Sequence, residues 1–307
     1  MSNCQKYLIS IVGPTAVGKT AAAIQLANHY HTEIVSADSR QLFCEISIGT
    51  AKPSAQELNQ APHHFINSHH VTEAFNVGDF EKQGIAVLAD IFEKHNIAIM
   101  AGGSGLYVNA ILNGFDDLPL APSEIREKLN QLLATEGIEV LQKKLLNADP
   151  EYHQQVDLNN PQRLIRALEV CESTGQPYSS FHKGGRAQRD FNIIKIGLNL
   201  PREELYNRIN QRVHIMVADG LIDEVKDLTQ YRHLNALNTV GYSEIFDYLD
   251  GKTDLATAIA LVKQNSRRFA KRQLTWFKKD KDIKWFNPTD VPAMISYIDA
   301  TVARLNA

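Results

Sequence analysis

Eight residues close to the start of the chain, Gly13-Pro14-Thr15-Ala16-Val17-Gly18-Lys19-Thr20, satisfy G-x-x-x-x-G-K-[ST] at every fixed position. The apolar run from Tyr7 to Val12 leads into them, and Ala21-Ala22-Ala23-Ile24-Gln25-Leu26-Ala27 follows. The first stretch predicts a buried strand and the second a helix, and that strand–loop–helix context marks a P-loop. Its glycines let successive backbone N–H groups converge on a phosphate, and the helix N-terminus adds partial positive charge. Lys19 can reach an outer phosphate, and Thr20 can offer its hydroxyl to Mg²⁺. The motif specifies a held polyphosphate. It does not specify whose phosphate, or what is transferred.

A P-loop needs a parallel sheet covered by helices, and the chain has the material for one. Of its 307 residues, 44% are hydrophobic and 22% charged, an ordinary globular balance. The formal net charge of −3 excludes a global basic field, so any nucleic-acid contact must come from local patches. Cys4, Cys44 and Cys171 lie far apart with no C-x-x-C, which argues against a zinc ribbon and suits a reducing cytoplasm. No apolar run approaches membrane-spanning length, and the run after Lys6 reads as a strand, not a signal peptide.

Further along, Glu33-Ile34-Val35-Ser36-Ala37 reads as a second strand ending at Asp38-Ser39-Arg40-Gln41. Parallel α/β sheets carry their working residues just past the carboxyl ends of strands, so Asp38 is placed to face the phosphate pocket. An N-cap is the alternative role for it. Gly49-Thr50-Ala51-Lys52-Pro53-Ser54 is a loop before a short helix from Ala55. His63, His64, His69 and His70 lack helical i,i+4 spacing and a supporting carboxylate pattern, so a histidine-rich surface strand is preferred to a metal site. Residues 79–95 have the apolar spacing of an amphipathic helix, and residues 97–101 read as a buried strand. That strand ends in Gly102-Gly103-Ser104-Gly105 before a helix over 106–112, a second strand–glycine–helix unit with either a ligand or a tight turn at its glycines.

From Pro122 to His182 the pattern is helical only, over 123–135, 138–147 and 161–173, with Pro161 at a helix start and Gly175 and Pro177 closing it. A strand over 193–198 follows, then a long helix from Arg202 with Arg208 and Arg212 on one face, a segment 221–231, and a long helix from Asp254. Residues 283–286 read as an edge strand and 291–305 as a closing helix. The predicted architecture is α/β: a P-loop NTPase-like parallel sheet flanked by helices, built from residues 1–115 and 190–307, with an inserted all-helical subdomain at 116–189. Between Lys263 and Lys279 the late helix carries Lys263, Arg267, Arg268, Lys271, Arg272, Lys278 and Lys279 without an acid, interleaved with Phe269, Trp276 and Phe277. Cations with stacking rings suit nucleic acid, whereas a solvated helix with a core aromatic face would show the same composition.

Taken together these blocks resemble the tRNA dimethylallyltransferases, or tRNA isopentenyltransferases, of the bacterial type. The resemblance rests on Gly13 to Thr20, Ser36-Ala37-Asp38-Ser39-Arg40-Gln41, Ile48-Gly49-Thr50-Ala51-Lys52-Pro53, and Gly102-Gly103-Ser104-Gly105-Leu106-Tyr107. It also rests on Asn160-Pro161-Gln162-Arg163-Leu164-Ile165-Arg166-Ala167-Leu168-Glu169 and Ala270-Lys271-Arg272-Gln273-Leu274-Thr275-Trp276-Phe277. No cysteine follows Cys171, unlike eukaryotic relatives with a zinc-finger tail. The chain departs from the family after Val240-Gly241-Tyr242, where Ser243-Glu244 stands in place of a frequent basic residue.

The resemblance implies transfer of a dimethylallyl group from dimethylallyl diphosphate to the N6 amine of the adenosine 3′ of the tRNA anticodon. Asp38 would act as base for the amine proton, with Lys19, the loop N–H groups, Mg²⁺ on Thr20, and Arg212 stabilising the leaving diphosphate. The anticodon stem-loop would meet Asp38, Ser39, Arg40, Gln41, Ser104 and Arg126, together with Gln162, Arg163, Leu164, Ile165 and Arg166 of the insertion. A cytoplasmic monomer with no membrane partner is expected. The alternatives are a P-loop small-molecule or nucleotide kinase with the insertion as its lid, and a non-catalytic RNA-binding ATPase. Both would call for a separate strand-end carboxylate for the metal, and the strand over 97–101 is followed by Gly102-Gly103 instead.

Overall fold

The computed structural model describes residues 5–114, 118–119, 121–181 and 187–307. Asp116, where the expected insertion begins, His182, where its helical pattern ends, and Cys4 lie outside them. The strands are β1 (Tyr7–Val12), β2 (Ile34–Ser36), β3 (His63–His64), β4 (Ile97–Gly102), β5 (Asn192–Leu198) and β6 (Lys284–Phe286). They form one sheet in the order β3-β2-β4-β1-β5-β6, and every neighbouring pair is parallel. β1 lies at the centre and is buried at each position, as a parallel strand must be when helices cover both faces. Its side chains alternate between two cores: Leu8 and Val12 into one, Tyr7, Ile9 and Ile11 into the other.

The helices before the insertion are α1 (Lys19–Tyr30), α2 (Ala55–Leu58), α3 (Val77–Lys94) and α4 (Gly105–Asn113). Those of the insertion are α5 (Ser123–Glu136), α6 (Ile138–Ala148), α7 (Pro150–Gln155) and α8 (Pro161–Thr174). After it come α9 (Arg202–Ala218), α10 (Leu221–Asp227), α11 (Ser243–Leu249), α12 (Leu255–Phe277) and α13 (Val291–Asn306). Asn76 starts α3 with a capping box, accepting from Gly78 and Asp79 while the Asp79 carboxylate accepts the Asn76 N–H. Two short helices, α7 and α11, stand where the sequence pattern gave none. At six and seven residues they are too short to show an apolar period, although Asp149 and Pro150 do supply an N-cap and an N1 proline for α7.

The chain divides into two compact units, Met1–Asn113 with Gln188–Ala307, and Gly114–Ala187. The second has its own core, in which Leu129, Leu141, Leu145, Leu164, Ile165 and Leu168 are buried together. Among the described residues, no helix is long and apolar enough to cross a membrane.

Candidate active site

The P-loop takes its form from three backbone positions. Gly13 has φ +157°, and a Cβ there would meet the Leu198 carbonyl oxygen at 2.6 Å, so only glycine lets β1 turn beside β5. Ala16 and Gly18 both adopt positive φ, at 63° and 107°, just before α1. Lys19 folds back over the loop and donates from Nζ to the Gly13 and Pro14 carbonyls at 3.0 and 2.9 Å. Burial pulls its pKa down to about 8; the Asp38 carboxylate opposes that shift, and Arg212 adds to it. The Thr15 N–H donates to Oε1 of Gln273 at 2.8 Å, and Nε2 of the same amide donates to the Gly103 carbonyl at 2.9 Å. Gln273 is buried on α12 and so ties the P-loop to the second glycine loop.

A cavity of about 290 Å³ opens beside this loop. Thr15, Ala16, Gly18, Lys19, Thr20, Asp38, Gln41 and Arg212 all line it, which gathers residues from three distant stretches of sequence. Gly13 and Pro14 contribute the carbonyls that hold Lys19, and Val17 is buried in the core. Asp38 follows β2, and its Oδ1 accepts from the Arg40 and Gln41 N–H groups at 3.0 and 3.4 Å. No helix starts there, so the capping alternative takes the form of an Asx-type turn, which holds the carboxylate at the cavity wall. Arg212 reaches the cavity from α9; burial lowers its pKa, and Glu57 and then Asp38 oppose that. Arg208, a turn earlier, pairs with Glu204 at 2.9 Å. Asp38 is not the sole acid there: Glu57 of α2 lines the same cavity. Its Oε2 accepts the Ser54 N–H at 2.8 Å as part of a capping box, which is why the sequence alone presents it as a helix-start residue.

A second cavity of about 320 Å³ shares Thr15, Ala16, Asp38 and Arg212 and adds Ser39, Arg40 and Ser104. Ser104 Oγ accepts the Ser39 N–H at 2.9 Å, and its hydroxyl lies 3.1 Å from that of Ser39. Burial lowers the Arg40 pKa, with Tyr107 and Asp38 opposing. Gln41 donates from Nε2 to the Thr50 and Ala51 carbonyls, each at 3.1 Å. The same wall is gripped from the other side by Glu224, which sequence reasoning missed. Its Oε2 accepts the Ser47 and Ile48 N–H groups at 2.9 and 2.8 Å, and its Oε1 accepts the Gly49 N–H at 3.0 Å and the Tyr242 hydroxyl at 2.5 Å. Lys52 crosses the loop to the Cys44 carbonyl at 3.2 Å and Asn67 Oδ1 at 2.5 Å. Glu244 is buried, accepting the Gly241 N–H at 2.8 Å and the Asn265 amide at 2.7 Å. The family departure at Ser243-Glu244 is thus a backbone clamp in this chain. The Glu224 bonds to Ser47, Ile48 and Gly49 span 175 to 177 positions and carry no local signal.

Of the other groups singled out above, His64 meets Glu33 at 2.6 Å and His70 meets Glu45 at 2.7 Å. Phe269 and Trp276 are exposed on α12, whereas Phe277 is buried, so the aromatic run divides between both readings of it. In the helical unit, Glu169 is buried and receives Arg126 at 2.5 Å and Arg166 at 3.5 Å. Gln162 and Arg163 are exposed at the start of α8. Leu164 and Ile165 are fully buried, because they sit on the α8 face that packs the unit's core. Their side chains are therefore removed from the set that could touch a nucleic acid.

A parallel sheet with a P-loop, a cation-lined cavity and a carboxylate at its wall defines a class of proteins that bind a polyphosphate and act beside it. The IPP transferase family matches residues 41–280. The tRNA dimethylallyltransferase of Christiangramia forsetii is 56% identical over 93% of this chain and 94% of its own length. That of Cytophaga hutchinsonii is 51% identical over 98% and 99%. Among solved structures, the tRNA isopentenylpyrophosphate transferase of Bacillus halodurans superposes with a TM-score of 0.72 at 38% identity, covering 98% of each chain. A eukaryotic dimethylallyltransferase acting on tRNA gives 0.77 at 27% identity, over 94% of this chain and 75% of that one. The chain belongs to the IPP transferase family.

Proposed function

We propose that this protein transfers the dimethylallyl group of dimethylallyl diphosphate to the N6 amine of the adenosine 3′ of the tRNA anticodon, releasing diphosphate. The observation that carries the reading is the meeting of Asp38 with Lys19, Thr20 and Arg212 around one cavity, in a chain of this family. The P-loop N–H groups, Lys19 and Arg212 hold the diphosphate and offset the charge that grows on its bridging oxygen. Asp38 accepts the proton that the weakly nucleophilic amine sheds as it attacks. An anticodon loop is single-stranded enough to present the unstacked base at low cost. Core residues Ser39, Arg40, Gln41 and Ser104 contact the tRNA. The helical insertion, 116–189, contributes Gln162, Arg163, Arg166 and Arg126, the last two from the pair held by Glu169.

A divalent cation, Mg²⁺ by its chemistry, fits the oxygen-only donors at hand. The Thr20 hydroxyl lines the cavity, and among the described residues no group of three or more His, Cys, Asp or Glu could hold a metal alone. Such a set suits a hard cation that keeps water and substrate phosphate as its other ligands. When bound, it would supply charge neutralisation on the diphosphate. A cytoplasmic, monomeric enzyme follows from this reading.

Incubation with labelled dimethylallyl diphosphate and undermodified tRNA tests it. Label should enter the tRNA with release of diphosphate. tRNA-stimulated ATP hydrolysis without prenyl transfer would instead favour the ATPase or kinase class.

A further inference from the structure

The two cavities described above share a stretch of wall, and one side chain in it has no role in the account so far. Phe269 lines both cavities, as do Asp38 and Arg212. No other phenylalanine, tyrosine or tryptophan lines either one among the described residues. The residue is 38% exposed, and it shares both cavity walls with Arg212 and Asp38. The helix turn that carries it is held in place. Gln273, one turn later on α12, holds both the Thr15 N–H and the Gly103 carbonyl, which locks this turn of helix against the P-loop. Arg272 lies over the ring with its guanidinium carbon 5.8 Å from the centroid.

On the proposed reaction, the diphosphate lies at the Lys19 end and the amine at Asp38, so the migrating carbon travels through the shared part of the two cavities. As the C1–O bond breaks, its electron pair stays on the bridging oxygen and leaves with diphosphate. Positive charge spreads over the allyl group until the N6 lone pair closes the new N–C1 bond and the amine proton passes to Asp38. A carboxylate at the allyl group would be a nucleophile and could capture it. An aromatic face is electronegative, attracts a cation and is a far poorer trap.

We propose that Phe269 is a catalytic residue whose ring borders the transferring allyl group and stabilises the positive charge that develops on it. This rests on the prenyl-transfer reading above.

The test is a series in which Phe269 is replaced by mono-, di- and trifluorinated phenylalanine, which drains the ring face of electron density while keeping its shape. Single-turnover prenyl transfer at saturating tRNA should fall step by step, by about tenfold across the series, within the range of a desolvated cation–π contact. Phe269→Tyr should remain near wild type, and Phe269→Leu should lose about as much as the most fluorinated ring. Affinities for inorganic diphosphate and for tRNA should stay within about twofold, since the interaction belongs to the transition state. A flat fluorine series would overturn the proposal. So would a loss confined to tRNA affinity, which would make the ring a base-stacking platform. Repeating the series in an Arg272→Gln background should leave the slope intact; a slope that vanished there would assign the effect to the Arg272 pair and overturn it too. Failure of the underlying reading is separately visible, because the wild-type protein would then transfer no prenyl group.

Discussion

Lys19 and Asp38 of the core unit and Arg126 and Arg166 of the helical unit are held by opposite means. In the core, Lys19 is held by two backbone carbonyls of its own loop, and Asp38 by the N–H groups of its own turn. In the helical unit, Arg126 and Arg166 are held by one buried carboxylate, Glu169, that comes from the same helix as Arg166 and a different helix from Arg126. Groups fixed by main chain stay aimed when a neighbouring side chain changes, as acting on a transition state requires. Groups fixed by a shared counter-charge keep exposed donors for a flexible backbone of phosphates. Substitution of Lys19 or Asp38 should therefore act on turnover, and substitution of the exposed cations of the helical unit on tRNA affinity.

The largest effect should come from Asp38→Asn. The amide keeps an oxygen for the Arg40 and Gln41 N–H groups, so the turn survives while the proton acceptor is lost. Single-turnover prenyl transfer should fall by about 10²- to 10⁴-fold, with donor affinity and melting temperature little changed. Near-normal rates would reduce Asp38 to a turn residue. Lys19→Ala should cost about 10²-fold or more in turnover, and full activity at saturating donor would remove it from the mechanism.

A pH series sharpens the same contrast. The Lys19 ammonium is kept below about pH 8 and lost above it, so kcat/KM should fall as pH rises through about 8. Lys19→Arg keeps its charge there and should shift that alkaline limb upward. A limb unmoved by Lys19→Arg would assign it to another group.

In the helical unit, Glu169→Gln leaves two arginines without their counter-charge. Because both are partly exposed, we expect a modest loss of about 1–3 kcal/mol in the stability of that unit. Calorimetry should find it, with donor affinity unchanged; altered donor affinity would break the division between units. The smallest effect belongs to Arg163→Gln. This exposed residue should weaken tRNA binding while lowering the salt dependence by about one charge, and salt titration of the affinity measures both. A salt slope equal to wild type would take Arg163 off the tRNA.

The P-loop, β1, the long helices and the position of Asp38 at a strand end were legible in the chain because each is written in contiguous residues: an apolar run, a glycine spacing, a cap. The short helices α7 and α11 carry too few residues to show a period. Leu164 and Ile165 sit inside a motif that reads as a single block, yet one turn of helix sends Arg163 outward and those two into the core.

The strand, loop and helix of the P-loop can be read from the chain alone, because they are made of neighbouring residues. What surrounds that loop is set by the folded chain. It brought Glu57 to the cavity beside Asp38, and used Gln273 to join two glycine loops. It spent Glu224 on three backbone N–H groups, and set Phe269 where the two cavities meet. The physical reason is that a hydrogen bond or a shared cavity wall depends on distance in space. Residues more than a hundred positions apart leave no local pattern to announce that they touch.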